Sequence, residues 1–410
     1  MRKINQNAIL VVFAALFICT GIWGESLTDC GKGAWDLLRA VKHLDLSGWM
    51  DAEKKIEKSS NEKLNYHDRL IDVDSLRSNL LGTRVVIKNG SVAAVKCDDE
   101  MLCIEVGCKS DTNIQETVAK IKELETVAEE NGARFLYCAA PRKEEFATLP
   151  ENAVNHSTDN HNRLIDELRA SQVPTLDLTS MIKESGVPVT EAFYYTDHHW
   201  RVKTGFSATE AICARLEELY DFQYDRTYTD LDNYQMTHYP DWFLGSRGKK
   251  AGTYFTWQGA DDFDLITPKF ETSFTAEQPL KGEKREGAFE ETLLYMEKLE
   301  KDYYKSDPYA TYSGGNYRLQ IMKNERNPDG KKILMVRDSF ACVVAPFLAL
   351  QTGELHTCDM RDNMDSAVDK VNLKEYIEEI HPDYVIILFS ATPETGETGK
   401  YDFFPNLDME

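Results

Sequence analysis

At 410 residues, the chain is long enough for roughly two or three domains and a sizeable buried core. Its formal net charge of −22 excludes nucleic acid as the main partner. An acidic surface repels phosphate instead of releasing counterions from it.

The first elements concern export. Arg2 and Lys3 precede the apolar run Ala8–Trp23, AILVVFAALFICTGIW. A basic stretch followed by such a run reads as an export segment. Two fates stay open: cleavage after Gly24, where Ile22 is a poor small-residue match, or retention as a membrane anchor, for which the run is slightly short. Cys19 in LFIC is a weak lipoprotein signal because Ile18 is bulky. Either way the remainder is expected outside the cytoplasm. Residues 25–65 are charged and interrupted, with helical character at Ala34–Val41 and Met50–Lys58, and read as a stalk.

Cys19 belongs to the export segment, which leaves Cys30, Cys97, Cys103, Cys108, Cys138, Cys213, Cys342 and Cys358. An exported chain permits disulfides. Cys97, Cys103 and Cys108 lie close enough for a local bridge, with free buried thiols the alternative; their spacing is not that of a zinc site. Cys138 and Cys213 lie on apolar faces and read as core.

From residue 66 the pattern becomes structural. Tyr66–Leu81 has apolar spacings of a helix, and Val85–Val106 reads as a small set of strands around Asn89–Gly90. The periodicity of Ile114, Val118, Ile121, Leu124 and Val127 predicts a helix over Asn113–Asn131, closed by Gly132. Next come a strand at Arg134–Ala140, a helix at Asp159–Ser171, a strand at Pro174–Leu178 and a short helix at Met181–Ser185 stopped by Gly186. YYTDHHW follows at Tyr194–Trp200, then a helix at Thr204–Tyr220. Residues 221–312 are rich in aromatics, Asp, Gly and Thr and read as an insertion. GTYFTWQG and DDFDLIT suggest hairpins there, and Gly282–Lys301 reads as a charged helix. The α/β rhythm resumes with KKILMVRDSFACVVAPFLAL, a strand at Ile333–Val336, a turn carrying Ser339 and an apolar helical run. Leu355–Cys358 reads as a strand, Asn372–Ile380 as a helix, Asp383–Phe389 as a buried strand and Ser390–Glu410 as a polar tail. This alternation predicts an α/β fold, a largely parallel sheet covered on both faces.

Chemistry concentrates at two stretches. A serine at the end of a central strand, opening onto a helix, is where α/β folds place a nucleophile, and the helix N–H groups suit an oxyanion. Serine needs a base. His199 is the candidate, with Asp197 to orient it. Positions i and i+2 face apart on a helix but share a side on an extended loop, as Tyr194–Thr196 favours. The blander readings are a helix cap for Asp197, a plain N-cap for Ser339 and satisfied core histidines. A metal at Asp197-His198-His199 lacks the further acidic ligands such sites use on strands. Trp200 is placed either behind the His199 imidazole or simply in the core. Trp242, Tyr254 and Trp257 suit sugar stacking or a small local core.

TDHHW at Thr196–Trp200 and RDSFACVVAPFLA at Arg337–Ala349 resemble the signature stretches of the DHHW family. That family is related to the SGNH-hydrolase-like alginate O-acetyltransferases AlgX and AlgJ. The resemblance spans roughly Arg134 to Phe389, with looser matches at Gly245–Phe255 and Ile266–Phe274. It implies a flavodoxin-like SGNH fold and a triad in the order Asp197, His199, Ser339. It implies acetyl transfer through an acyl-serine to a polysaccharide hydroxyl, and a membrane-bound O-acyltransferase as acyl supplier. Arg337 departs from the Gly-Asp-Ser of ordinary SGNH enzymes. The family's oxyanion glycine and asparagine have no clear counterpart, so the candidate donors are the Ser339 N–H, Arg361 and Asn324. Tyr312, Gly314 and Gly315 are expected to line the cleft.

The expectation is therefore an extracytoplasmic serine O-acyltransferase needing no cofactor or metal. It comprises a signal or anchor at 1–24, a stalk at 25–65 and an SGNH-hydrolase-like domain at 66–410. Its rivals are a carbohydrate acetyl esterase and a non-catalytic glycan-binding or assembly protein on the same fold.

Overall fold

The computed structural model describes residues 67–88, 90–362, 370–390 and 400–405. The export segment, the stalk, Cys19 and Cys30 lie outside the described residues. The described residues divide into two units, one ending at Leu80 and one beginning at Leu81. Of the first, the described part is helix α1 (His67–Leu80), where the sequence predicts it. Among the described residues no helix is long and apolar enough to cross a membrane.

The second unit is built on an eight-stranded sheet of order β5-β4-β13-β11-β12-β10-β8-β9. Its strands are β4 (Arg134–Ala140), β5 (Thr175–Asp177), β8 (Phe274–Gln278), β9 (Glu283–Gly287), β10 (Leu319–Asn324), β11 (Lys332–Arg337), β12 (Glu354–Cys358) and β13 (Tyr384–Ser390). From β5 to β12 all neighbours are parallel; from β12 to β9 they are antiparallel. Successive side chains of a strand face opposite sides. Accordingly Leu136, Cys138, Met335, Ile386 and Leu388 enter one core, and Phe135, Tyr137, Val336, Ile387 and Phe389 the other. A run such as YVIILF is apolar throughout because both faces are covered.

Helices α2 (Asp111–Glu130), α3 (Ser157–Ala170) and α10 (Leu373–Ile380) cover one face. Helices α4 (Leu178–Ser185), α6 (Val202–Tyr220) and α9 (Ala345–Ala349) cover the other, with the four-residue α5 (Val189–Ala192) leading to the TDHHW stretch. α2 ends on Asn131, with Gly132 at φ +81° behind it. A small sheet of β1 (Val85–Lys88), β2 (Ser91–Lys96) and β3 (Leu102–Cys103) lies before α2. A ribbon of β6 (Tyr234–Phe243) and β7 (Asp261–Pro268) encloses helix α7 (Ser246–Ala251).

Several expectations are corrected. Gly282–Lys301 is not a charged helix. Gly282, at φ +67°, turns the chain into β9, and α8 (Phe289–Thr292) is a single turn. Glu283, Lys284, Arg285 and Glu286 belong to an edge strand, where charge discourages further strand pairing. β8 and β9 thus extend the main sheet, so only part of 221–312 is an insertion. GTYFTWQG forms turns, not a strand. Tyr254 and Trp257 are 50% and 66% exposed, so they close no local core, while Trp242 is half-buried and donates to Leu299 O at 3.1 Å. The tail buries Lys400, Tyr401 and Phe403. Cys97, Cys103 and Cys108 are free thiols, the first two buried.

α6 packs on the segment after Ser339 at a glycine. A Cβ on Gly205 would lie 2.1 Å from Val343 Cγ2 and 3.2 Å from Trp200 Nε1. Gly205→Ala is expected to cost about 1–3 kcal/mol by overpacking, despite alanine's better helix propensity. At about 2–4 °C per kcal/mol for a domain of this size, thermal melting should register it. An unchanged midpoint would mean that this approach carries no strain.

Candidate active site

Ser339 follows β11 directly. Asp338 caps the turn Ser339–Cys342: its carboxylate accepts the Phe340 N–H at 3.0 Å and the Ser390 N–H, at the end of β13, at 2.7 Å. The expected helical run is a 3-10 turn followed by the five-residue α9. Arg337, standing where ordinary SGNH enzymes have glycine, is buried. It donates to Asn316 Oδ1 at 2.7 Å and Gly315 O at 2.8 Å, fixing the neighbouring loop against the turn.

The TDHHW stretch is a tight loop closed by an antiparallel bridge between Phe193 and Trp200. Within it Asp197 Oδ1 accepts the His199 N–H at 3.0 Å, the i→i+2 bond that aspartate favours in turns. The same oxygen accepts from His199 Nδ1 at 2.5 Å. Asp197 Oδ2 accepts the Ser246 N–H at 2.6 Å. Asp197 is therefore not the cap of α6, whose N-cap is Arg201. Gly245 permits the approach: a Cβ there would lie 2.2 Å from Asp197 Cβ.

The other imidazole nitrogen, His199 Nε2, lies 2.7 Å from Ser339 Oγ. With Nδ1 protonated toward Asp197, Nε2 is left to accept the serine proton. All three side chains are buried. Tyr309 stacks on His199 at 4.0 Å and 11°, and Phe340 meets it edge-on at 5.1 Å. Burial alone would raise the Asp197 carboxyl. His198, His199 and the Ser246 N–H outweigh it and hold the carboxyl well below the usual range.

The loop's own backbone is tied from outside. Lys143, fully buried, donates to the carbonyls of Tyr194 at 3.0 Å, Tyr195 at 3.1 Å and Asp197. Asp261 accepts the N–H groups of Tyr195 at 2.6 Å and Thr196 at 2.8 Å, with the Thr196 hydroxyl at 2.6 Å.

Trp200 is fully buried, and its indole donates to Phe340 O at 3.2 Å, linking the two stretches. Of the remaining candidates, Arg361 lies just beyond the C-terminal end of β12, where it is buried and its guanidinium grips Asp359 with Nε–Oδ1 2.9 Å and Nη2–Oδ2 2.6 Å. Asn324 pairs with Gly353 ahead of β12. That is the opposite edge of the sheet from Ser339, about 16 Å along β11 by strand rise. The Tyr312 hydroxyl is tied to Ile266 in the core, accepting from its N–H at 2.8 Å, so it lines no cleft. Gly315 supports Arg337 through its carbonyl.

Sequence reasoning missed Lys143, Asp261 and Tyr309. No spacing links them to TDHHW; only the sheet topology does. Asp197, His198 and His199 place ligand atoms within 4.8 Å of one another, among the described residues. His199 there is already engaged on both ring nitrogens.

A parallel α/β sheet with these residues at its strand ends is an SGNH-hydrolase-like arrangement. Residues 102–234 match the family model ALGX, described as the SGNH hydrolase-like domain of the acetyltransferase AlgX. The stretch includes Asp197 and His199 and stops short of Ser339. Among solved structures, Bacillus cereus PatB1 is similar with TM-score 0.61 at 19% identity, over 76% of this chain and 99% of that one. A DHHW family protein from Eubacterium siraeum is similar with TM-score 0.56 at 17% identity, over 78% and 98%. At these identities the structural likeness speaks to fold. No curated protein matches the chain. Of the two stretches that carry the resemblance, TDHHW lies inside the matched residues and RDSFACVVAPFLA beyond them.

Lys143→Met should leave buried carbonyls without a donor and destabilise the protein by about 3–5 kcal/mol, the scale for breaking a buried charged contact. Urea unfolding checks this. A change below about 0.5 kcal/mol, the surface-mutation range, would show that the loop does not depend on the ammonium.

Proposed function

We propose that this protein is a serine acyltransferase that moves an acetyl group to a polysaccharide hydroxyl. The observation that carries the reading is His199 bonded to Asp197 through one ring nitrogen and to Ser339 through the other. Ser339 Oγ attacks the acyl carbonyl while its proton passes to His199 Nε2. Asp197 holds the imidazole in the required tautomer and stabilises the imidazolium. Tyr309, stacked on the ring, adds a favourable face for that cation. The Phe340 N–H is occupied by Asp338, so the Ser339 N–H is the proposed oxyanion donor. Collapse of the tetrahedral species returns the proton to the leaving oxygen and leaves an acyl-serine. A sugar hydroxyl, giving its proton to His199, then attacks the acyl carbonyl; collapse breaks the Ser339 Oγ–acyl bond and His199 returns the proton to Ser339.

Transfer in preference to hydrolysis rests on the acetyltransferase family match. The expected setting is outside the cytoplasm, with the 1–24 segment as signal or anchor and a membrane-bound O-acyltransferase supplying the acyl group. No metal or cofactor enters these steps.

A structure of Bacillus cereus PatB1 is described with a sulfonyl adduct, so a sulfonyl fluoride is a suitable probe here. Wild type should become sulfonylated at Ser339, and Ser339→Ala should not, by intact-protein mass spectrometry. Unlabelled wild type would favour a non-catalytic glycan-binding protein.

With an acetyl donor and an oligosaccharide, acetylated sugar should exceed free acetate; acetate alone would make the protein an esterase. Asp197→Asn should lower kcat by about 10³–10⁴-fold, the effect of losing tautomer control in a Ser–His–Asp site. A loss below tenfold in steady-state assays would remove Asp197 from that role.

A further inference from the structure

The nucleophile turn is held from below by the C-terminal tail. Lys400 Nζ lies 2.8 Å from Asp338 Oδ2, 3.1 Å from Ser390 Oγ and 3.4 Å from Ser390 O. It also sits 4.6 Å from the centre of the Phe389 ring. Lysine and aspartate side chains are each 1% exposed. The tail is itself anchored: Phe403 O accepts the Leu373 N–H at 3.0 Å, and Asp402 pairs with Lys370 at 3.1 Å. Tyr401 packs edge-on against Phe389 at 5.3 Å.

We infer that Lys400 is a positioning residue for Ser339, acting through Asp338. This rests on the reading of Ser339 as nucleophile. The Asp338 carboxylate joins three things: the Phe340 N–H inside the turn, the Ser390 N–H of β13, and the tail. A buried carboxylate keeps two good N–H acceptor sites only while ionised, and buried ionisation needs a partner charge. Lys400 is that charge. The other groups near the Asp338 carboxylate are Arg361 beyond β12 and Tyr137 on β4; Arg337, at the end of β11, reaches the Asp338 main-chain carbonyl at 3.5 Å. Arg361 is bound to Asp359 and Arg337 to Asn316 and Gly315.

Burial pushes the Asp338 carboxyl up; Lys400 foremost, then Arg361 and the Ser390 N–H, bring it down to about 2. A carboxyl depressed in the fold contributes stability above its unfolded pKa and loses it as pH falls through the folded value. Without Lys400 that loss moves to higher pH, and with it the geometry of the Ser339 turn.

The test follows sulfonylation of Ser339 against pH in wild type, Lys400→Met, Lys400→Arg and Asp338→Asn, with thermal melting in parallel. Lys400→Met should label at least about tenfold more slowly at neutral pH, with the acid-side fall displaced upward by about one pH unit or more. Lys400→Arg should recover most of the rate. Asp338→Asn should also slow labelling, which keeps the test open if Lys400→Met does not fold. Wild-type rates and pH profile in folded Lys400→Met, or wild-type labelling in Asp338→Asn, overturn the inference. So does melting restored by Lys400→Arg without the labelling rate. A wild type that takes no probe overturns the nucleophile reading, and the inference with it.

Discussion

Residues Tyr194–His199 cannot satisfy their own backbone. They are neither helix nor strand, yet most are buried. Buried N–H and C=O groups must find partners. One cation, Lys143, collects carbonyls and one anion, Asp261, collects amides. This division fixes the loop as a rigid body. Only then can a short aspartate side chain bind both the N–H and the ring of a residue two positions on. The position of the His199 imidazole, and so its distance to Ser339, depends on that clamp.

The serine side solves the same problem differently. β11 delivers Ser339 to the carboxyl edge of the parallel sheet, where open α/β folds gather their functional groups. Asp338 then ties the turn to β13, and Arg337 ties it to the loop at Gly315–Asn316. The arginine that departs from the ordinary glycine thus has a structural place, filling space beneath the turn. Trp200 and Tyr309 both donate to Phe340 O, at 3.2 and 3.3 Å, so the halves of the site share an acceptor.

The sheet is mixed for a related reason. Its parallel part needs covering on both faces, which the helices provide. Beyond β12 the chain adds β10, β8 and β9 by antiparallel pairing and ends on a charged, exposed strand. Several aromatics of the 221–312 region join the main core: Tyr234 and Phe289 pack on Phe347 of α9.

Periodicity and punctuation alone were enough to reveal the α/β alternation, the strand preceding Ser339 and the helices at α2, α3 and α6. Local hydrophobic pattern encodes these directly. The pairing of Asp197 with His199 was legible too, since an i,i+2 contact depends only on loop conformation. Gly282–Lys301 misled because charge density looks alike on a surface helix and an edge strand. Asn324 misled because chemical type does not say which edge of a sheet a residue occupies; Arg361 does sit at the edge that carries Ser339 but is gripped by Asp359, and the Tyr312 hydroxyl is taken up by Ile266. Lys143, Asp261, Tyr309 and Lys400 left no trace in the sequence. Their partners are distant along the chain, and strand order with register alone brings them together.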